Sequence, residues 1–165
     1  VERYIEVVRS KTAILLSAAC EVGAILGGVA PELRQAVADY GMDLGIAFQL
    51  MDDTLDYTAS EEQFGKSIGH DLEEGKITLP LIHTLKLCSD EERDFIASVV
   101  EKDLLSDEDF AQVLALVQRY GGIEHTVASA SDHVALCKRH LEQFPPSAAR
   151  DALAELADYV VTRSK

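Results

Sequence analysis

Apolar residues recur along this chain at steps of three or four, the spacing that places side chains on one face of an α-helix. The clearest series consists of Leu33, Val37, Tyr40, Leu44, Ala47 and Met51. Pro31 suits the first turn of that helix, and the pattern predicts that it continues to about Tyr57. We find no segment that alternates apolar and polar residues as a half-buried strand does. The pattern therefore predicts an all-α fold.

Capping and helix-breaking residues divide the rest of the chain. Val1 to Gly28 is predicted to be helical, with a bend near Lys11 and Thr12. Residues 60–75 are polar and contain three glycines, so we expect a loop or broken turns there. Serine, glycine and proline signals delimit further helices, which we expect at residues 78–87, 89–101, 106–120, 123–143 and 148–163.

The balance of charge limits the classes of partner. The 165 residues include 15 Lys and Arg against 29 Asp and Glu, which gives a formal net charge of −14. So acidic a chain repels nucleic acid and anionic lipid, and neither is expected as a partner. A site for an anionic substrate would have to be built locally, from a few converging lysines or from bound metal cations.

The cysteines and one long apolar stretch bear on location. Cys20, Cys88 and Cys137 are odd in number and widely spaced, which favours a reducing, cytoplasmic environment. Residues 12–30 are almost all small or apolar, but Glu21 lies at their centre, and a charge there is costly in a bilayer. A helix packed among other helices explains this stretch better than a membrane span. The chain also begins without Met, as if a further segment preceded it.

Three aspartates near the end of the long helix form the most informative group. Asp52 and Asp56 are four residues apart and so share a helix face, with Asp53 beside them. Carboxylates held together repel each other, unless a divalent cation or a lysine neutralises them. Mg²⁺ prefers oxygen ligands and often combines one or two carboxylates with substrate phosphates and water. Taken alone, this short motif is equally compatible with a solvated acidic face.

Lysines near these aspartates could complete an anion site. Lys66 and Lys76 lie in or beside the glycine-containing loop, and Lys11 lies at the predicted bend of the first helix. An ammonium group on such a segment could approach a diphosphate. The combined arrangement would be carboxylate, metal, diphosphate and lysine, which would let an acidic protein hold a polyanion.

The surrounding residues make the motif specific. The relevant groups are Lys11-Thr12, Glu21-Val22-Gly23-Ala24, Phe48-Gln49, Met51-Asp52-Asp53, Gly65-Lys66, Asp71-Leu72, Gly75-Lys76-Ile77-Thr78-Leu79-Pro80 and the tail from Leu153 to Val161. Together they resemble the second aspartate-rich region and C-terminus of trans-prenyl diphosphate synthases, especially the medium- and long-chain branch that includes octaprenyl diphosphate synthase. The resemblance covers nearly the whole chain. It implies a helical bundle of the isoprenoid synthase type, of which residues 1–165 would form the C-terminal half.

The resemblance also implies a role for each matching residue. Asp52 would bind Mg²⁺ directly, whereas Asp53 and Asp56 would act through water or by orienting Lys66. The remaining roles concern the substrates. Lys11 and Lys66 would contact the allylic diphosphate, and Lys76 would lie at the edge of the same pocket. Thr12 and Gln49 would present oxygen atoms to the developing allylic cation, and Phe48 would lie near isopentenyl diphosphate.

The implied reaction is the head-to-tail condensation of an allylic prenyl diphosphate with isopentenyl diphosphate. That family uses two aspartate motifs on facing helices, and only the second occurs here, so we expect this chain to be inactive by itself. We also expect self-association or pairing with an N-terminal half, because helix faces would otherwise be exposed. The alternatives are a non-catalytic interaction subunit or truncated product that pairs with a synthase chain, and a class I terpene cyclase. The Gly65-Lys66 and Gly75 to Pro80 segments disfavour the cyclase.

A few other residues could carry chemistry. His133, Cys137 and His140 fall at positions i, i+4 and i+7 of a predicted helix, a spacing that could align zinc-type ligands. We identify no fourth ligand, so an ordinary helix face is the favoured interpretation. His70 could approach a diphosphate but is more simply a solvated loop residue, and Tyr57 is most simply a packing residue.

Overall fold

The computed structural model describes residues 1–58, 69–102 and 104–163. These residues form α-helices joined by short turns, with no strand among them, and the predicted all-α class is confirmed. In chain order the helices are α1 (Glu2–Val8), a π-helical segment (Arg9–Ala13), α2 (Ile14–Leu26), α3 (Pro31–Thr58), α4 (His70–Glu73), α5 (Leu79–Leu87), α6 (Asp90–Val100), α7 (Asp107–Arg119), α8 (Gly122–Leu141) and α9 (Ala148–Thr162).

The helices group into two compact units. The terminal unit combines Glu2–Met51 with Ala128–Lys165, and the middle unit spans Asp52–Val127. Helices α3 and α8 each contribute residues to both units.

Two glycines allow close packing of backbones in the terminal unit. A Cβ added at Gly45 of α3 would lie 2.5 Å from the Cα of Ala13, and one at Gly41 would lie 2.6 Å from the carbonyl oxygen of Leu16. Only glycine permits such an approach without a shift of the backbone. The hydroxyl of Tyr40, whose residue is fully buried, donates to the carbonyl of Leu153 over 2.8 Å and so ties α3 to α9.

The middle unit has its own apolar core. Its buried residues come from α3 through α7 and from the turn before α6: Tyr57, Leu72, Leu81, Cys88, Ile96, Val99, Val113, Leu116 and Val117. Helices α6 and α7 begin as the sequence predicts, because the Ser89 and Ser106 hydroxyls accept from the backbone N–H groups of Glu92 and Asp109. Ser89 and Glu92 form a full capping box.

The predicted element boundaries hold except in the loop before α5. A π-helical segment, Arg9–Ala13, lies where the sequence predicts a bend, and the residues on either side of it, Val8 and Ile14, keep right-handed helical dihedral angles. Of the expected loop at residues 60–75, only residues 69–75 lie within the described part of the chain, and they include the short helix α4. The sequence missed α4 because four residues are too few to show a helical period.

Helix α2 exposes large apolar side chains. Leu15 and Leu26 are 73% and 83% exposed, and Ile14, Val22 and Ile25 are each about half exposed. The apolar stretch at residues 12–30 is thus only partly covered within this chain. None of the described helices is long and apolar enough to cross a membrane.

Candidate functional site

The π-helical segment places Thr12 against helix α3. The Thr12 hydroxyl donates to the Oε1 atom of Gln49 over 2.9 Å, and both residues are partly buried. Gly45, one helical turn before Gln49, permits the close approach of Ala13 that makes this bond possible. Lys11 is exposed beside Thr12. The structure therefore brings together Thr12 and Gln49, two residues that are 37 positions apart in the sequence.

Phe48 lies beside Arg163, the residue that follows α9. The guanidinium carbon of Arg163 is 4.1 Å from the centroid of the Phe48 ring, within the range of a cation–π contact. An Nη2 hydrogen of Arg163 also points to the Phe48 carbonyl over 3.4 Å. The Nε atom of Arg163 is buried and has no hydrogen-bond partner in the described part of the chain. Phe48 and a fixed positive charge thus lie in the same terminal unit as the Thr12–Gln49 pair.

The three aspartates of α3 lie in different environments in the middle unit. Asp52 is exposed, Asp53 is only 3% exposed, and Asp56 is partly buried. Asp52 therefore presents its carboxylate to solvent, where a hydrated metal ion can reach it. The other two lie nearer the protein interior, where their orientation depends on protein contacts.

Asp56 organises the segment that follows α3. Its Oδ2 atom accepts from the backbone N–H of Asp71 over 3.0 Å, and its carbonyl accepts from the N–H of Gly69. Gly69 has a φ of +80°, and a Cβ there would overlap the Phe110 ring, so glycine is required at this junction. Burial raises the pKa of Asp56, and although the amide of Asp71 opposes this, the pKa remains above its ordinary value. Asp56 therefore has a structural role of its own.

Lys76 is held by acidic neighbours. Its Nζ atom is 2.9 Å from Oδ1 of Asp71 and pairs also with Glu74, and these hydrogen bonds raise its pKa. The ammonium group is about half exposed, so the Asp71–Lys76 pair lies at the surface of the middle unit. Lys66, the other loop lysine predicted to contact a diphosphate, lies outside the described residues.

His70 and the α8 histidines each pair with carboxylates. His70 is exposed and lies 3.4–3.7 Å from Glu73 and Glu74. His133 and His140 contact opposite oxygens of Asp43, with Nδ1 to Oδ1 at 2.8 Å and Nε2 to Oδ2 at 2.9 Å.

Cys137, which lies between these two histidines on α8, donates to the carbonyl of Tyr40. Within the described residues, no three His, Cys, Asp or Glu side chains are arranged to enclose a metal ion. The zinc-type spacing on α8 thus serves contacts between helices.

Comparison with known proteins decides the family. A sequence model of the polyprenyl synthetase family matches residues 1–117. The chain belongs to the polyprenyl synthetase family.

Curated members of the polyprenyl synthetase family align along nearly the whole chain. It is 41% identical over 163 residues to a short chain isoprenyl diphosphate synthase of Methanothermobacter thermautotrophicus, and the alignment covers 98% of this chain and 49% of the relative. It is 39% identical over 168 residues to the octaprenyl diphosphate synthase of Escherichia coli, covering 99% and 50%. The chain therefore spans about half the length of the curated relatives it matches.

Solved structures agree with this assignment. The polyprenyl synthase of Caulobacter crescentus, determined in complex with calcium and isoprenyl diphosphate, superposes with a TM-score of 0.92 at 38% identity, covering 98% of this chain and 49% of that one. A decaprenyl diphosphate synthase of Rhodobacter capsulatus gives 0.86 at 40% identity, with 99% and 50% covered. The expected isoprenoid synthase fold is thereby confirmed, over about half of each of these proteins.

The donor set of this polyprenyl synthetase chain suits a hard divalent cation. Asp52 offers exposed carboxylate oxygens, with Asp53 and Asp56 nearby on α3. Mg²⁺ commonly uses one or two carboxylates and takes its other ligands from substrate phosphates and water. An open, incomplete set of protein ligands therefore fits such an ion better than it fits a structural zinc site, which is closed by four ligands.

Sequence reasoning missed two residues of this region. The sequence marks Asp71 only as part of the family pattern, yet it links Asp56 to Lys76 through its backbone N–H and its carboxylate. The sequence predicts Arg163 only as the end of the last helix, yet its guanidinium lies 4.1 Å from the centroid of the Phe48 ring. Neither contact could be read from the sequence, because the Arg163–Phe48 pair is separated by 115 positions and no helical period relates the two residues.

Proposed function

We propose that this chain binds an Mg²⁺-complexed allylic prenyl diphosphate for head-to-tail condensation with isopentenyl diphosphate. The observation that carries the proposal is the graded exposure of the α3 aspartates, with Asp52 open to solvent and Asp53 and Asp56 held inside. Membership of the polyprenyl synthetase family supports it. The calcium and isoprenyl diphosphate bound by the Caulobacter relative add further support for a divalent cation and a diphosphate.

The aspartate motif would hold the leaving group. Mg²⁺ bound through Asp52 would stabilise the negative charge that develops on pyrophosphate as the allylic C–O bond breaks. Asp53 and Asp56 would orient water or neighbouring cations, which agrees with the contacts that already position Asp56. Lys11 and Lys66 would add positive charge, and Lys76 would contribute at the edge of the pocket while it remains bound to Asp71.

Thr12 and Gln49 would face the allylic carbon. Because Thr12 donates to the amide oxygen of Gln49, the orientation of both side chains is set, and their oxygen atoms are the negative ends of the local dipoles. Preorganised dipoles of this kind stabilise a developing cation at little reorganisation cost. Phe48 would lie near isopentenyl diphosphate, with Arg163 stacked on its ring. The reaction needs no side-chain nucleophile, since the alkene of isopentenyl diphosphate attacks the cation and a proton is then lost.

The surface of α2 supports a need for a second polypeptide segment. Leu15 and Leu26 are largely exposed, and contiguous apolar surface is rarely left bare in a soluble protein. We infer that this face packs against the other half of a synthase, supplied by the same chain or by another. A non-catalytic pairing subunit remains the second candidate, because the same surface favours it.

The test of the proposed function is calorimetric titration of pyrophosphate with and without MgCl₂. We expect binding that depends on Mg²⁺ and that Asp52→Ala weakens by at least tenfold, since loss of a charged ligand contact is worth about 1.5–3 kcal/mol. Asp94→Ala is the matched control because Asp94 is an exposed aspartate of α6 and is not part of the α3 motif. Equal affinity in wild type and Asp52→Ala, or affinity that does not depend on Mg²⁺, would contradict the proposal.

A further inference from the structure

Tyr57 ends the acidic motif with a buried hydroxyl. The residue directly follows Asp56, is only 2% exposed, and packs its ring on Phe110 with the centroids 6.3 Å apart. Its ring also belongs to the apolar core of the middle unit, so the position of the side chain is well defined. The hydroxyl oxygen has no hydrogen-bond partner among the described residues. A buried polar group without a partner lowers stability, so it calls for an explanation.

Thr78 is the second buried hydroxyl without a partner. It occupies the N-cap position of α5 and is 6% exposed, and its Oγ1 atom likewise makes no hydrogen bond in the described part of the chain. A threonine at an N-cap ordinarily accepts a hydrogen bond from a backbone N–H of the first helical turn. Here no such bond forms, and Pro80 removes one of the available donors. The Thr78 side chain instead lies close enough to the Tyr57 hydroxyl to lower the pKa of that phenol, without a hydrogen bond of good geometry between the two.

Three aspartates act electrostatically on the Tyr57 hydroxyl. Burial is the main reason that the pKa of Tyr57 is raised; the Thr78 hydroxyl opposes the rise, and the charges of Asp56, Asp71 and Asp53 add to it. All three aspartates are therefore within electrostatic range of the phenol. Asp53 lies one helical turn before Tyr57 on α3 and so shares its helix face, and Asp56, which accepts from the N–H of Asp71, directly precedes it. The Tyr57 side chain therefore lies beside the inner aspartates of the motif.

We propose that the hydroxyls of Tyr57 and Thr78 are positioning groups that orient the buried carboxylates of the aspartate motif when a metal–diphosphate complex binds. The two groups carry two O–H donors, and at most one of them can be used between the pair. The other is available to a carboxylate that turns toward it. This inference rests on the proposed function, because it assigns these hydroxyls a use only in the complexed state.

The proposal predicts opposite effects on stability and on binding. Tyr57→Phe and Thr78→Val keep the shape of each side chain but remove the hydroxyl. If the hydroxyls have no partner in the free protein, the unfolding midpoint of each variant will be unchanged or higher. Binding of pyrophosphate with MgCl₂ will weaken about tenfold, which corresponds to loss of one hydrogen bond to a charged group.

The experiment measures urea unfolding and pyrophosphate calorimetry for wild type and for four variants of the full chain. Thr78→Ser keeps a hydroxyl and should bind as wild type does. Tyr159→Phe is the control for the chemical change, because Tyr159 is 61% exposed on α9.

Destabilised Tyr57→Phe and Thr78→Val variants would show ordinary structural hydroxyls and overturn the inference. Unchanged binding by these variants, with wild type still binding, would overturn the inference alone. Failure of wild type to bind would overturn the proposed function along with it.

Discussion

The Asp43 carboxylate is predicted to be a major contributor to the stability of the terminal unit. Its two oxygens each contact a histidine of α8, and an ionised carboxylate can only accept hydrogen bonds. His133 must therefore carry a proton on Nδ1 and His140 a proton on Nε2. The side chains of Asp43, His133 and His140 are 14%, 24% and 23% exposed, so water competes only weakly for these bonds.

Replacing Asp43 with Asn tests this contact. The amide oxygen can still accept from one histidine, but its NH₂ group faces the other, so one charge-assisted bond is lost and the second is weakened. At about 1.5–3 kcal/mol for a bond to a charged group, the expected loss in free energy of unfolding is about 2–3 kcal/mol. For a chain of this size that corresponds to roughly 4–12 °C in the midpoint of thermal unfolding.

The effect of the substitution should depend on pH. Burial raises the pKa of Asp43, but the hydrogen bonds from His133 and His140 outweigh it, and the pKa lies below its ordinary value of 3.8. A carboxyl with a lowered pKa in the folded state contributes stability above its unfolded pKa and loses that contribution as pH falls through its folded pKa. The difference in unfolding free energy between wild type and Asp43→Asn should therefore shrink as the pH falls below about 4.

The assay is urea unfolding followed by circular dichroism at several pH values between 3 and 7. Asp132→Asn is the matched control, because Asp132 is an exposed aspartate on α8 next to His133. The reasoning is refuted if Asp43→Asn is no less stable than Asp132→Asn. It is refuted also if the difference between Asp43→Asn and wild type remains constant down to pH 3.

Two further predictions concern packing and turnover. Gly45→Ala should lower stability and weaken the Mg²⁺-dependent binding of an allylic diphosphate, because the new Cβ would lie 2.5 Å from the Cα of Ala13 and separate Thr12 from Gln49. The control is Gly23→Ala, where no atom lies within 4 Å of the new Cβ; it should be neutral or stabilising by up to about 1 kcal/mol. Equal effects of the two variants on urea unfolding and on calorimetric binding would contradict this prediction. The second prediction is tested in an assay with radiolabelled isopentenyl diphosphate, an allylic primer and Mg²⁺. We expect no sustained product from this chain alone, since each loss of about 1.4 kcal/mol in charge stabilisation costs tenfold in rate, and we expect recovery of product when a matching N-terminal half is co-expressed. Product from this chain alone, abolished by Asp52→Ala, would refute the prediction.

The helices could be predicted from the sequence because their signals are local. The apolar period of α3 and the serine caps of α6 and α7 involve residues within a few positions of each other. The Phe48–Gln49 and Asp52–Asp56 groups were found for the same reason, since a resemblance to a family motif is also read from neighbouring residues. The functional roles of these residues stay predictions, to be tested by the binding experiments above.

The contacts that shape the candidate site are long-range, and the sequence does not encode them in any short pattern. Asp43 and His140 are 97 positions apart, and Thr12 and Gln49 are 37 apart. The histidine spacing on α8 illustrates the difficulty, because positions i and i+7 suit a metal site and a shared carboxylate equally well. Only the approach of α3 to α8 within the terminal unit distinguishes the two. The buried hydroxyls of Tyr57 and Thr78 were likewise invisible, since burial and a missing partner are properties of packing.

The π-helical segment at Arg9–Ala13 has a consequence for how this region tolerates insertions and deletions. A π turn is an α-helical turn that has taken in one extra residue, which shifts the angular phase of everything before it by about 100°. The side chains of α1 are therefore out of phase with the positions they would take if α2 continued as a uniform α-helix. Deleting one residue from the segment would restore a uniform helix, but it would rotate either α1 or Thr12 away from its present direction. The extra residue thus lets the directions of the α1 side chains and of Thr12 be set independently of each other.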